Sequence, residues 1–179
     1  MEGFFLKNRM TLEEKKHKSG FISIVGNPNV GKSTLMNALV GKELSIITAK
    51  AQTTRHRILG IINGDDFQMV LSDTPGVIKP AYEMQTSMMN FVKEALIDGD
   101  VLTYLVTPEE TELKDEKLFE KIKKSKAPLL ILINKIDLIS QESLEASVLH
   151  WQTEFPKAIV YPISALTGFF IPELLEILI

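Results

Sequence analysis

The chain has 179 residues, of which 45% are hydrophobic and 24% are charged, as in one globular domain with a full hydrophobic core. It contains no cysteine, which excludes disulfides and thiolate metal sites and is compatible with a reducing compartment. The net charge of −3 argues against a domain that mainly grips nucleic acid, because such domains usually carry a basic excess. With no transmembrane-length apolar run and no signal-peptide pattern at its start, the sequence predicts a cytoplasmic protein.

Two parts of unequal size are predicted along the chain. Residues 1–19 are polar and lack apolar periodicity, so we expect a flexible lead-in, within which either Met1 or Met10 could be the natural start. From Gly20 onward, short β-branched runs alternate with helical patterns, which indicates a single domain over residues 20–179.

The first elements of this domain alternate between strand and helix patterns. Residues 21–25 predict a buried strand, and a glycine-rich turn and a helix over about 33–40 follow it. The turn sequence at 63–66 lies between two apolar runs and predicts a β-hairpin. Beyond it, four apolar residues recur with helical spacing on one face: Met84, Met88, Phe91 and Ala95.

The second half of the domain completes the pattern. Residues 101–106 and 129–133 are nearly continuous apolar runs, which is typical of parallel strands covered on both faces. Ser140 can cap a helix, residues 158–163 predict a last strand, and Pro172 suits the first turn of a last helix. The predicted fold is a three-layer α/β sandwich around a mostly parallel six-stranded sheet with one antiparallel edge strand.

A phosphate-binding loop pattern, GxxxxGKS, follows the first strand. Glycines there let backbone N–H groups converge on an anion. Lys32 would neutralise the β- and γ-phosphates, and the Ser33 hydroxyl would ligate Mg²⁺. The alternative is a glycine-rich turn that matches the pattern by chance. The predicted loop comprises Gly26, Asn27, Pro28, Asn29, Val30, Gly31, Lys32 and Ser33, with Thr34 next.

A DxxG pattern follows the third predicted strand, and it consists of Asp73, Thr74, Pro75 and Gly76, with Val77 next. The Asp73 carboxylate would hold Mg²⁺ through a water, and the Gly76 N–H would bond the γ-phosphate only while that group is present. In isolation, the same four residues are also a good tight turn.

An NKxD pattern follows the fifth predicted strand and contains Asn134, Lys135, Ile136 and Asp137. A carboxylate at Asp137 can accept two N–H donors from guanine that adenine lacks, Lys135 can lie along the base, and Asn134 can tie this segment to the phosphate loop. Ser164 and Ala165, after the last strand, would offer a backbone N–H to guanine O6. The alternative is a strand-end Asn and Asp that cap the next element.

A long loop over residues 42–56 separates the first helix from the second strand, and loops of this length are usually functional or disordered. A threonine there could reach both Mg²⁺ and the γ-phosphate. We predict Thr54 for this role, with Thr53 second. Lys50, Arg55 and Arg57 are interpreted as solvated loop charges.

Together these motifs resemble those of the Era family, bacterial ribosome-assembly GTPases in the Era/TrmE-like branch. The match runs from Gly20 to about Ile179, and KAQTTRHRI at 50–58 is its most discriminating segment. The resemblance implies Mg²⁺-dependent GTP binding and slow hydrolysis, with Lys32, Thr54 and Gly76 as catalytic groups. It also implies a switch role in small-subunit assembly and 16S rRNA maturation, loose peripheral membrane association at the inner face of the cell membrane, and a monomeric state.

One departure from the family pattern matters, and two further residues bear on the mechanism. Era proteins carry a C-terminal KH domain that binds RNA, and this sequence lacks its GxxG loop, so we read the chain as truncated and expect little RNA binding by this domain alone. Val77 stands where Ras-like enzymes orient water with glutamine, which predicts slow intrinsic hydrolysis. Asn29 is either a K⁺ ligand beside the phosphates, as in related GTPases with asparagine there, or a turn residue.

Two other functions compete with an enzymatic switch. A GTP-gated binding module with incidental hydrolysis is compatible with Val77. A phosphate-loop kinase would need a lid and an acceptor site, and the DxxG and NKxD patterns argue against it.

Overall fold

The computed structural model describes residues 17–47 and 53–179, so most of the predicted lead-in, both candidate starts and Lys50 lie outside the described residues. Within these residues, six strands form one sheet in the order β2-β3-β1-β4-β5-β6, in which only β2 runs antiparallel to its neighbour. The strands are β1 (Lys18–Val25), β2 (Ile58–Asn63), β3 (Phe67–Asp73), β4 (Val101–Val106), β5 (Leu129–Ile133) and β6 (Ile159–Pro162). The predicted mostly parallel sheet with one antiparallel edge strand is confirmed.

Helices cover both faces of the sheet. They are α1 (Lys32–Val40), α2 (Glu83–Asp98), α3 (Glu116–Lys123), α4 (Gln141–Glu154) and α5 (Ile171–Leu178). One apolar cluster joins the sheet to α1 and α5, and a second joins it to α2, α3 and α4. The second cluster is built around Trp151 and Tyr104, whose ring centroids are 5.3 Å apart. Among the described residues, no helix has the length and apolar character needed to cross a bilayer.

Two helix starts follow the predicted chemistry. The Ser140 hydroxyl accepts a hydrogen bond from the Ser143 N–H at 3.3 Å and caps α4, and Pro172 lies in the first turn of α5. Both helices therefore begin where the sequence predicts.

One predicted element boundary and one predicted helix face differ from the structure. β1 begins at Lys18, inside the predicted lead-in, because residues 18–20 pair with β3. In α2, the predicted apolar face includes Met84, yet 40% of this residue is exposed. The face that packs on the sheet is centred on Met88, Val92 and Ala95, so the helix is rotated relative to the stripe read from the sequence.

Candidate functional site

The phosphate-type loop, residues 26–33 between β1 and the first turn of α1, lies very close to neighbouring segments of the chain. A Cβ at Gly26 would lie 2.3 Å from the Leu105 carbonyl oxygen, and a Cβ at Gly31 would lie 2.3 Å from Asn134 Nδ2. Gly31 and Asn29 also have left-handed backbone angles, with φ of 102° and 65°. Only glycine tolerates these two close approaches, so the GxxxxGKS spacing is required by the local fold.

Lys32 lies at the start of α1 with its ammonium group buried inside the loop. Its Nζ donates hydrogen bonds to the carbonyl oxygens of Gly26 (3.1 Å) and Asn27 (2.7 Å). Burial lowers the pKa of Lys32 to about 8, although the carboxylates of Asp73 and Glu110 oppose this shift. A bound phosphate would place further negative charge beside this buried cation, and would raise its pKa again.

Three predicted metal-binding side chains meet beside the loop. The Ser33 hydroxyl donates to Asp73 Oδ2 at 2.7 Å and lies 3.1 Å from Thr54 Oγ1. Burial raises the pKa of Asp73, while the Ser33 hydrogen bond and the Lys32 charge lower it. Asp73 Oδ1 is buried without a hydrogen-bond partner among the described residues.

This donor set fits a hard divalent cation. Mg²⁺ prefers oxygen ligands and is usually held by one or two carboxylates together with substrate phosphates. A cation near the unpartnered Asp73 Oδ1 would offset the cost of burying that carboxylate. The described residues contain no cluster of three or more His, Cys, Asp or Glu side chains suited to a metal. The hydroxyls of Ser33 and Thr54 and the oxygens of a ligand would therefore have to complete the shell.

The DxxG segment is fastened to the phosphate-type loop through its backbone. A Cβ at Gly76 would lie 2.7 Å from Pro28 Cα, and the Val77 N–H donates to the Gly26 carbonyl at 3.0 Å. The Thr74 hydroxyl donates to the Ile24 carbonyl at 2.8 Å, and Pro75 is buried beside it. The side chain of Val77 is fully buried in the second apolar cluster, and therefore does not face the cleft.

The NKxD segment joins the ends of three strands. Asn134 ties it to the phosphate-type loop, as the sequence predicts, by donating from Nδ2 to the Val30 carbonyl at 2.8 Å. Its Oδ1 accepts from the Ala165 N–H at 2.9 Å. The predicted donor to guanine O6 is thus already engaged within the protein. Asp137 is exposed, and its Oδ1 accepts from the Ser164 hydroxyl at 2.6 Å.

A cleft of about 490 Å³ opens where these segments converge, at the carboxyl ends of the parallel strands. Ile136 of the NKxD segment does not line this cleft, because it is partly buried and packs against the second apolar cluster. Two lining residues, Ile46 and Ile47, were missed because no motif marks them. The cleft is lined by Pro28, Asn29, Gly31, Lys32, Ser33, Thr34, Ile46, Ile47, Thr53, Thr54, Thr74, Gly76 and Lys135.

Arg57 was wrongly interpreted as a solvated charge. Its guanidinium is largely buried, with Nε donating to Ser72 Oγ at 2.6 Å and Nη1 paired with Asp98 at 2.5 Å. The side chain thus links the start of β2 to β3 and to the end of α2. Arg55, by contrast, is exposed.

The orienting role of the Ser164 hydroxyl was also missed. Sequence position suggested only a backbone donor at residues 164–165. The contact joins residues 27 positions apart, so no local spacing marks it.

Comparison with known proteins was made at the level of family, sequence and structure. A family model described as "50S ribosome-binding GTPase" matches residues 21–135. The GTPase Era of Clostridium beijerinckii is 41% identical over 162 residues, which are 90% of this chain and 54% of the relative. The GTPase Era of Clostridium perfringens is 42% identical over 163 residues, which are 90% of this chain and 55% of the relative.

Two solved structures of Era are similar to this chain at 37% identity. Era in complex with MgGDPNP and nucleotides 1506–1542 of 16S ribosomal RNA has a TM-score of 0.84, and 90% of this chain covers 56% of it. A variant of Aquifex aeolicus Era bound to GDP and AlF4⁻ has a TM-score of 0.83 with the same coverage. The resemblance to the Era family is confirmed, and the chain spans about half the length of these relatives.

Proposed function

The chain belongs to the 50S ribosome-binding GTPase family, and we propose that it binds GTP and hydrolyses it slowly to GDP and phosphate with the help of Mg²⁺. The observation that carries this proposal is the junction of Asn134, Ser164 and Asp137 with the phosphate-type loop. This junction places a carboxylate at the same sheet edge as Lys32. A guanine base and a chain of phosphates could span these two points.

The phosphate end of the cleft supports the chemistry. Lys32 neutralises charge on the β- and γ-phosphates, and the Gly76 N–H bonds the γ-phosphate. Ser33 and Thr54 would ligate Mg²⁺ directly and Asp73 would do so through a water. When bound, the ion would neutralise charge that develops on the phosphate oxygens. Because Val77 is buried, no side chain at that position orients the attacking water. We therefore propose that intrinsic GTP hydrolysis is slow.

K⁺ is proposed as a second cofactor, beside Asn29. For the full-length protein, we propose a switch that acts in small ribosomal subunit assembly and 16S rRNA maturation. In this switch, GTP orders residues 42–56 and 73–83, and hydrolysis releases them. We also propose that the whole protein is a cytoplasmic monomer that associates peripherally with the membrane and binds RNA. The complex of Era with MgGDPNP and a segment of 16S rRNA supports the nucleotide and the RNA partner.

A GTP-gated binding module with incidental turnover is the second candidate, favoured by the burial of Val77. Turnover measured with and without small ribosomal subunits separates the two. A rate that stays negligible with subunits, although GTP promotes association with them, would favour the binding module.

The first test is a titration of wild type and Asp137→Asn with GTP, GDP, ATP and xanthosine triphosphate in the presence of Mg²⁺. We expect wild type to prefer guanine nucleotides to ATP. Asp137→Asn should weaken GTP binding on the order of 100-fold and improve xanthosine triphosphate binding, because xanthine has an oxygen where guanine has an amine.

Asp65→Asn is the matched control, because it removes the same charge from the exposed turn between β2 and β3. It should bind all four nucleotides like wild type. An Asp137→Asn protein that retains the wild-type preference for GTP would disprove the base-binding assignment. Equal binding of ATP and GTP by wild type would disprove the proposed function.

A further inference from the structure

The side chain of Asn27 in the phosphate-type loop is buried and turned away from the cleft. Among the residues that the structure describes, all hydrogen bonds of this side chain go to the segment between β4 and α3. Its Nδ2 donates to Glu110 Oε1 (2.9 Å) and to the Glu112 carbonyl (3.0 Å), and its Oδ1 accepts from the Lys114 N–H (3.0 Å). One carboxamide therefore fastens the loop to residues 107–114 at three points.

The Glu110 carboxylate bridges the two sides of this connection, because each of its oxygens accepts a hydrogen bond from a different residue. Oε1 accepts from Asn27, and Oε2 accepts from the Thr107 N–H at 2.9 Å. Thr107 directly follows β4, so Glu110 joins the loop to the rigid central sheet. The next residue, Thr111, connects the same segment to α4, because its carbonyl oxygen lies 3.0 Å from His150 Nε2.

The connection reaches the phosphate-binding groups through one residue. The carbonyl of Asn27 accepts from Lys32 Nζ at 2.7 Å, so the backbone position of Asn27 influences where the ammonium group lies. The loop amides that would face the phosphates belong to the same short stretch of chain. Fixing the Asn27 side chain therefore restricts the conformations that the empty loop would otherwise sample.

We propose that Glu110 is a positioning residue for the phosphate loop: through Asn27 it holds the loop in the conformation that binds the phosphates of GDP and GTP. This inference rests on the proposed function and adds to it a residue outside all the recognised motifs.

Electrostatics alone predicts the opposite effect. Glu110 places a negative charge near Lys32, and a carboxylate close to a phosphate site repels the ligand. If Glu110 acted only through its charge, its neutralisation would tighten nucleotide binding. If it acts by positioning the loop, the same substitution weakens binding. The sign of the change therefore separates the two roles.

Glu110→Gln is the informative variant, because it keeps the shape of the side chain and leaves a single acceptor oxygen. Either Asn27 or Thr107 then faces an amide donor in place of an acceptor. We expect the Kd for both GDP and a non-hydrolysable GTP analogue to rise about tenfold. The preference for guanine over xanthine should not change, since Asp137 is untouched. Glu109→Gln is the matched control, because Glu109 is exposed and makes no hydrogen bond or ion pair within the described part of the chain.

A double-mutant cycle with Asn27→Ala tests the route of the effect. Once Asn27 is truncated, Glu110→Gln should weaken binding less than twofold further, because the connection is already broken. Full additivity, an unchanged Kd or a lowered Kd in Glu110→Gln would overturn the proposal.

Hydrogen exchange without nucleotide separates failure of this inference from failure of the proposed function. The backbone N–H groups of residues 26–33, Pro28 excepted, should exchange at least several-fold faster in Glu110→Gln than in Glu109→Gln, whatever nucleotide the protein binds. Equal exchange in the two variants would overturn the positioning role. If wild type failed to bind guanine nucleotides while the exchange difference persisted, only the proposed function would be rejected.

Discussion

Asn29 is exposed at the mouth of the cleft and adopts a φ of 65°. This conformation suits a turn asparagine, and it also leaves the carboxamide at the position where the sequence suggests a K⁺ ligand. Because Val77 is buried and orients no water, a monovalent cation would be a useful source of charge stabilisation near the phosphates.

We predict that K⁺ accelerates GTP hydrolysis roughly tenfold over Na⁺ at equal ionic strength, well below the effect of an arginine finger, because the loop must order itself. Asn29→Gly should remove this stimulation, since glycine permits the left-handed φ but supplies no oxygen. The measurement is GTP turnover in KCl and in NaCl for both proteins. Equal wild-type rates in the two salts, or K⁺ stimulation that persists in Asn29→Gly, would contradict the prediction.

At the scale of elements, α1 fixes the position of the first residues of the long loop that follows it. Asn37 is largely buried in this helix, and its side chain binds the loop backbone three times. Oδ1 accepts from the N–H groups of Leu44 (3.0 Å) and Ser45 (2.9 Å), and Nδ2 donates to the Ser45 carbonyl (2.8 Å). The predicted switch segment at 42–56 is therefore anchored through residue 45, and its first part moves with α1.

Replacing Asn37 by alanine should leave these three backbone groups without their partner. We expect the free energy of unfolding to fall by about 2 kcal/mol, because an unsatisfied buried polar group costs roughly 1–3 kcal/mol. Urea unfolding of the nucleotide-free protein measures this. Asn90→Ala on α2 is the control, since the exposed Asn90 side chain makes a single hydrogen bond to the described part of the chain, accepted from Lys93 at 3.4 Å. Equal stability of the two variants would mean that the anchor contributes nothing measurable.

At the scale of the whole molecule, acidic residues outnumber basic ones by 23 to 20. Arg57, which directly precedes β2, is paired with Asp98 and is not available to a phosphate backbone. Tight RNA binding usually depends on several exposed Lys and Arg side chains that contact phosphates. Nucleotide binding needs one buried lysine, whereas RNA binding needs a basic surface. The net negative charge is therefore compatible with nucleotide binding and unfavourable for RNA binding.

We predict that residues 1–179 bind the 3′ end of 16S rRNA weakly or not at all at near-physiological salt. A gel-shift or filter-binding titration at two salt concentrations measures this, with a full-length Era as the positive control. Tight binding that weakens steeply with salt would refute the prediction and direct attention to Lys50 and Arg55.

The local patterns of the sequence were sufficient to predict the fold and the convergence of the motifs. Residues 101–106 and 129–133 are nearly continuous apolar runs, and they became β4 and β5 without adjustment. The GxxxxGKS, DxxG and NKxD patterns are each contiguous, and parallel strands bring their carboxyl ends to one edge of a sheet. These predictions succeeded because the information lies within a few residues of the element it describes.

Only the tertiary structure decided which side chains support those motifs. Asn27 contacts Glu110 across 83 positions, Arg57 contacts Asp98 across 41, and Asp137 contacts Ser164 across 27. The packed face of α2 was likewise decided by the sheet below it, which buries Val92 and leaves Met84 partly exposed. No short pattern encodes such partners, because a hydrogen bond or a packing contact depends on where two distant segments are placed by the rest of the fold.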